Sequence, residues 1–118
     1  MISKDLMVPR FWFCEVYRVN FYYFIGWKGR CFERYALEEF NHETDCSESR
    51  GKYLLVEKNN ATINCIWIRK KKDYPALAHE SVHAALSVFD YIGQKVDSEY
   101  DESFCYLVEA IIRKGLNK

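Results

Sequence analysis

The chain has 118 residues, of which 49% are hydrophobic and 17% aromatic, so one compact domain over residues 1–118 with a core of its own is expected. Basic and acidic residues number 17 each, and the zero net charge argues against wholesale attraction to nucleic acid or to an anionic membrane. The first ten residues lack the hydrophobic segment of a signal peptide, and no early apolar stretch is long enough to span a bilayer.

Cysteine usage points to a reducing compartment. The five cysteines are an odd set without closely spaced pairs, which predicts reduced, mostly buried thiols in a cytoplasmic protein.

The first half of the chain reads as strands around one helix. Residues 10–27 are rich in aromatic and β-branched side chains and predict one long strand or two short ones. Apolar residues at helical spacing predict a helix over about 30–41. Residues 52–58 and 61–69 then predict two strands joined by a tight turn at Asn59-Asn60. We expect six of these side chains in or near the core: Phe11, Phe13, Val19, Phe21, Ile66 and Ile68.

The second half predicts two helices. Asp73 is a suitable cap, Pro75 suits a first turn and Gly93 is a natural stop, so the first helix is expected over about 74–92. The second is expected from about Ser98 to Lys114, capped by Asp97 or Ser98. The element order β-α-β-β-α-α predicts an α+β domain, an antiparallel sheet with helices on one face.

The first of these helices contains His79-Glu80-Ser81-Val82-His83, the pattern H-E-x-x-H. One helical turn separates the histidines, so both imidazoles can bind one ion, while Glu80 is offset and can reach a bound water. Glu102 follows His83 after eighteen residues and would supply a third ligand, leaving a fourth position open as in catalytic zinc sites. The alternative is a helix with two hydrogen-bonded histidines and no metal.

This arrangement resembles the zinc signature of gluzincin metallopeptidases, especially the aminopeptidase N-like branch. There the third ligand lies in a stretch similar to N-E-G-F-A-x-Y-x-E, which residues 101–109 match at Glu102, Phe104 and Glu109 and, one position out of register, at Tyr106. The whole chain also resembles small HExxH metallopeptidases encoded in phages and prophages. The resemblance implies a zincin-like fold, Zn2+ bound by His79, His83 and Glu102, Glu80 as general base, and the cytoplasm of a phage-infected or lysogenic bacterial host.

The chain departs from the resembled family in two places. Few residues follow Glu102, so a group that stabilises the oxyanion must come from elsewhere, with five candidates: Tyr74, Tyr91, Tyr100, Tyr106 and His42. The aspartate that orients a ligand histidine in the thermolysin-like branch is replaced by Tyr106. Asp90 or Glu109 could take that role, although a surface salt bridge explains either equally well.

Three functions follow from these patterns. The leading one is zinc-dependent hydrolysis of a peptide or protein by a metal-activated water, with the substrate extended along an edge strand at Ala61 to Arg69. The alternative is a non-enzymatic, phage-type assembly or interaction protein with a structural or relict zinc site. Nucleic-acid binding through Arg69 to Lys72 with Trp67 nearby ranks last, because a basic run at a strand end is usually solvated.

Overall fold

The computed structural model describes residues 8–97 and 101–117. It contains β1 (Arg10–Cys14), β2 (Val19–Ile25), α1 (Gly29–Phe40), β3 (Gly51–Lys58), β4 (Ala61–Ile68), α2 (Tyr74–Tyr91) and α3 (Asp101–Gly115). The predicted α+β class is confirmed, with one strand more than the predicted order. Residues 15–18 interrupt the N-terminal strand, and Arg18 turns the chain with a φ of 56°. The proposed cap Ser98 and the candidate Tyr100 lie outside the described residues.

The sheet is mixed, which corrects the expectation of an antiparallel one. Its strand order is β1-β2-β4-β3, and β2 and β4 are parallel, with Asn20 beside Ile63 and Ile25 beside Ile68. The other two pairings are antiparallel. Gly51 pairs with Ile68, and Ile68 lies beside Ile25 at the end of β2, so β3 begins at the end of the sheet where β2 finishes. Strand β3 brings the chain back, and after the hairpin β4 runs in the same direction as β2.

Helices cover both faces of the sheet, which corrects the prediction of one helical face. Because side chains alternate along a strand, Phe21, Tyr23, Ile66 and Ile68 share one face and pack with α2 and α3. Phe24, Cys65 and Trp67 share the other and pack with Phe32 of α1. The Phe32 and Trp67 rings stack with centroids 5.8 Å apart. A strand with two apolar faces needs a layer on each side.

The position of β4 also corrects the expected substrate edge. Ile63 to Ile68 are all buried, as expected for a central strand, so residues 61–69 present no free edge. The edge on this side is β3. The predicted turn between the two strands is confirmed: Asn59 and Asn60 both have positive φ, 53° and 65°, as a two-residue hairpin turn requires.

The core prediction is right for four of its six residues. Val19, Phe21, Ile66 and Ile68 are buried, whereas Phe11 is 60% exposed and Phe13 49% exposed. Both belong to the outer strand β1 and lie on its α1 side, where the aromatic residues of α1 cover β2 and β4. Trp12, on the opposite side of β1, stacks on Phe21.

The C-terminal end of α3 is held by two side chains from the sheet. The Tyr23 hydroxyl donates a hydrogen bond of 2.8 Å to the Ile111 carbonyl. The Arg10 guanidinium donates to the carbonyls of Lys114, at 2.8 Å, and Gly115. Gly115 packs so closely on Leu77 that a β-carbon would lie 3.0 Å from the Leu77 Cδ1 atom. These contacts fix where α3 ends against α2 and β2.

Two further properties concern the chain as a whole. All five cysteines are free thiols, with Cys14, Cys46 and Cys65 buried. Within the described ranges no helix is long and apolar enough to cross a membrane.

Candidate metal centre

The start of α2 is set by Asp73, as the sequence predicts. Its carboxylate accepts a hydrogen bond of 3.2 Å from the Ala76 N–H and is also bound by the Arg50 guanidinium at 2.5 and 2.8 Å. From this start the helix turns Ala84, Ala85 and Phe89 toward the core and leaves the motif histidines on its exposed side. The two imidazoles are therefore accessible to an ion from solvent.

The histidine nitrogens have the separation that a shared ion requires. His79 Nε2 and His83 Nε2 lie 3.2 Å apart. Two nitrogens bound to one tetrahedral zinc at about 2.0–2.1 Å are separated by roughly 3.3 Å. The same separation allows a hydrogen bond between two neutral imidazoles, so the pair is preorganised for zinc without depending on it. Neutral imidazole nitrogens are preferred zinc donors, and this donor pair fits the ion.

The Glu80 carboxylate lies near the two histidine nitrogens, on the buried side of the site. It is only 8% exposed, and one carboxylate oxygen lies within 4.8 Å of the histidine donor atoms. Burial raises the pKa of Glu80, while His79, His83 and Lys52 and the backbone N–H of Tyr53 act in the opposite direction. The Glu80 carboxylate is thus close enough to the histidines to face an ion bound between them or a water on that ion.

Strand β3 forms the wall beside Glu80. The Arg69 N–H donates to the Arg50 carbonyl at 2.9 Å, so alternate residues from Arg50 onward bond to β4. Tyr53 lies between those positions and directs its backbone outward, where its N–H meets the Glu80 carboxylate. Glu80 therefore connects the histidine pair to the free edge of the sheet.

Glu102 is not brought into this group. Among the described residues, the ligand atoms gathered within 4.8 Å of one another belong to His79, Glu80 and His83. Glu102 is exposed in the first turn of α3. The contacts between Phe89 and Phe104, and between Leu77 and Gly115, align the antiparallel helices so that Glu102 is level with residue 90. At 1.5 Å per residue this level is roughly 10 Å along α2 from His83.

The residue of α3 that is level with His83 of α2 is Glu109. Its carboxylate pairs with Arg113, four residues later, so the salt-bridge interpretation of this residue is confirmed. Asp90 is exposed near the end of α2. Neither residue belongs to the group around the histidines.

The candidates for oxyanion stabilisation are dispersed. Tyr74 and Tyr91 lie at the two ends of α2, roughly 26 Å apart along the helix at 1.5 Å per residue, and both are exposed. Tyr106 is exposed on α3, and His42 follows α1 on the other face of the sheet. The structure therefore assigns none of these four to the site.

Comparison with protein-family models, with curated proteins and with solved structures finds no match for this chain. The resemblance to metallopeptidases accordingly rests on the residues of the motif and of the α3 stretch alone.

The sequence did not reveal two residues that contribute to the site. Tyr53 contributes a backbone N–H, which carries no sequence signal. Gly51 contributes space, because a β-carbon there would lie 3.2 Å from the Glu80 Cγ atom. A glycine at the start of a strand was the one available indication that another group approaches the backbone closely.

Proposed function

We propose that the protein is a zinc-dependent hydrolase of peptide bonds, acting on a peptide or protein substrate. The observation that supports this most strongly is the placement of three side chains. His79 and His83 present their Nε2 atoms 3.2 Å apart to solvent, and a shielded Glu80 carboxylate lies within 4.8 Å of them. A site that serves only to stabilise a fold has no need of a carboxylate that stands beside the metal without binding it.

His79 and His83 would hold the ion, and Glu102 would complete the site after a movement of the first turn of α3 toward the histidines. Zinc bound there would polarise the scissile carbonyl and make a water acidic enough to lose a proton near neutral pH. Glu80 would accept that proton at its carboxylate and deliver it to the nitrogen of the departing amine. Because Glu80 is largely buried, its carboxylate exchanges protons with the reacting groups in preference to bulk water.

The edge of β3 offers a way to position the substrate. Gly51, Leu55 and Glu57 direct their backbone groups away from β4, so an extended peptide could add to the sheet beside them, on either side of the Tyr53 N–H, whose hydrogen bond Glu80 accepts. Glu80 meets this edge at Tyr53, so a peptide bound there would pass next to the histidine pair. Backbone pairing of this kind recognises extended chains with little regard to their sequence.

Substitution of Glu80 tests the proposal. Glu80→Gln should keep the fold and the bound zinc and abolish hydrolysis of peptides from a broad library that the wild type cleaves. Glu43→Gln makes the same chemical change at an exposed position beyond the end of α1 and should leave cleavage unaltered. Equal cleavage by Glu80→Gln and wild type would exclude the proposed role of Glu80, and loss of zinc from Glu80→Gln would make that residue part of the metal binding.

A second candidate is a non-enzymatic assembly or interaction protein with a structural or relict zinc site. The observation that favours it is the distance of Glu102 from the histidines, since two histidines alone make an incomplete catalytic site. The same experiment distinguishes the two functions. A wild type that binds zinc and cleaves no peptide in the library would favour the second.

A further inference from the structure

Basic residues gather at one end of the sheet although the chain as a whole is neutral. The parallel strands β2 and β4 both end there, and the segments that follow them, residues 26–30 and 69–73, contain six basic residues and one acidic residue. The acidic residue is Asp73, which is already paired with Arg50. Helices α1 and α2 also begin at this end, so the partial positive charge of their N-termini adds to that of the side chains.

Two of the lysines at this end have no charge partner within the described part of the chain. Lys71 and Lys72 are exposed and form no ion pair with residues 8–97 or 101–117. Arg69, by contrast, is used structurally: it donates to the carbonyls of Cys46 and Ser49 and lies over the Trp67 ring. The cationic charge available to a ligand therefore comes from the lysines that follow Arg69.

A cleft of about 460 Å³ opens among these residues. It is lined by Arg10, Lys71 and Lys72 and by three aromatic residues, Tyr23, Trp27 and Tyr74, and none of the described lining residues is acidic. Tyr74 is 54% exposed, so its ring is available for stacking. Trp67, which the sequence offered as the aromatic partner, is fully buried, with its indole N–H donating to the Trp27 carbonyl.

We propose that this cleft binds single-stranded nucleic acid. Unpaired lysines suit the phosphates, and an exposed aromatic ring beside them suits a base, the combination on which sequence-tolerant single-strand binding depends. An acidic peptide would satisfy the lysines equally but has no general use for the ring. The cleft accommodates roughly one nucleotide, while Lys28, Arg30 and Lys70 extend the positive charge beyond it along the same end of the sheet.

The test uses the full chain and a fluorescein-labelled oligothymidine, followed by fluorescence anisotropy at several salt concentrations. Binding should weaken with salt, the logarithm of the association constant falling by roughly 0.7 per tenfold salt for each phosphate contacted. Lys72→Glu should weaken binding at least about five-fold and make the salt dependence shallower. Lys95→Glu carries the same change of charge on the loop beyond the other end of α2 and should bind as the wild type does.

The ring is tested separately from the charge. Tyr74→Leu should weaken binding about five-fold or more without changing the salt dependence, and Tyr74→Phe should retain it. The proposal is overturned by any of three results: no binding at low salt, equal effects of Lys72→Glu and Lys95→Glu, or equally tight binding of polyglutamate with no effect of Tyr74→Leu. The third result would assign the cleft to acidic polypeptides.

Discussion

Glu80 packs closely against Gly51 at the edge of the sheet, where the absence of a side chain leaves room for it. A β-carbon on Gly51 would lie 3.2 Å from the Glu80 Cγ atom and 3.0 Å from the backbone oxygen of Trp67. The Trp67 oxygen belongs to the central strand and is held in the ladder, so the adjustment would fall on the side chains of Glu80 and of Ile68, whose Cδ1 atom would lie 3.1 Å away.

Gly51→Ala should therefore displace Glu80. We expect peptide hydrolysis to be lost while zinc is retained, with a destabilisation of about 1–3 kcal/mol from overpacking. Zinc content, activity and denaturant unfolding of the purified variant measure the three effects. Unchanged hydrolysis would mean that the Glu80 carboxylate can act from another position.

His79→Ala should abolish stoichiometric zinc binding, because a single imidazole of the pair remains. His42→Ala removes the third histidine of the chain, on the other face of the sheet, and should keep one zinc per chain. Zinc at a hundred times its dissociation constant should raise the stability of the wild type by about 2.7 kcal/mol and leave His79→Ala unaffected. Full zinc content in His79→Ala, measured by elemental analysis, would place the metal elsewhere.

Glu102→Gln should weaken zinc binding strongly, and Glu109→Gln should not. The Glu102 carboxylate has no ion-pair partner among residues 8–97 and 101–117, whereas Glu109 is paired with Arg113. Competitive titration with a chelator gives both affinities. The reverse order would show that α3 keeps its present register in the zinc complex and that Glu109 is the third ligand.

Phe21→Ala should cost about 3–5 kcal/mol of unfolding free energy, since its ring is fully buried between β1 and the helices. Phe13→Ala is the matched control on the neighbouring strand and should cost less than about 1 kcal/mol, because half of that ring is exposed. Similar losses in the two variants would contradict the described packing of β1.

Asp73→Asn should make the protein less stable at neutral pH but not in acid. Hydrogen bonding from Arg50 lowers the pKa of Asp73 below its ordinary value of 3.8. A lowered pKa contributes stability that is present above the ordinary value and is lost as the pH falls through the folded value. Asparagine preserves the helix cap but not the charge. The melting temperatures of the two proteins should thus differ at pH 7 and converge in acid, as the pH falls through the lowered pKa of Asp73; a constant difference would assign the effect to the cap.

The local signals in the sequence were sufficient for much of the fold. Asp73 marked the start of α2 and Asn59-Asn60 the hairpin, because a cap and a turn depend on neighbouring residues alone. The side of α2 that carries His79 and His83 followed from helical periodicity.

What the sequence did not reveal depends on contacts between distant segments. The parallel pairing of β2 with β4 depends on the whole connection between them, which includes α1 and β3. The identity of the free edge, β3, depends on the same connection. Burial of Phe13 would have required a helix over β1. The level of Glu102 relative to His83 is likewise set by remote contacts, chiefly Gly115 against Leu77.

Those remote contacts also determine how α3 should open. The bonds from Tyr23 and Arg10 hold its last turns, while its first turn, with Asp101 and Glu102, is attached mainly through Phe104. Amide hydrogen exchange should therefore be slowest around Ile111 and Lys114 and become progressively faster toward Asp101. The Gly115 end of the helix would then stay in place while its first turn moves. That motion would allow the Glu102 carboxylate to approach the histidines.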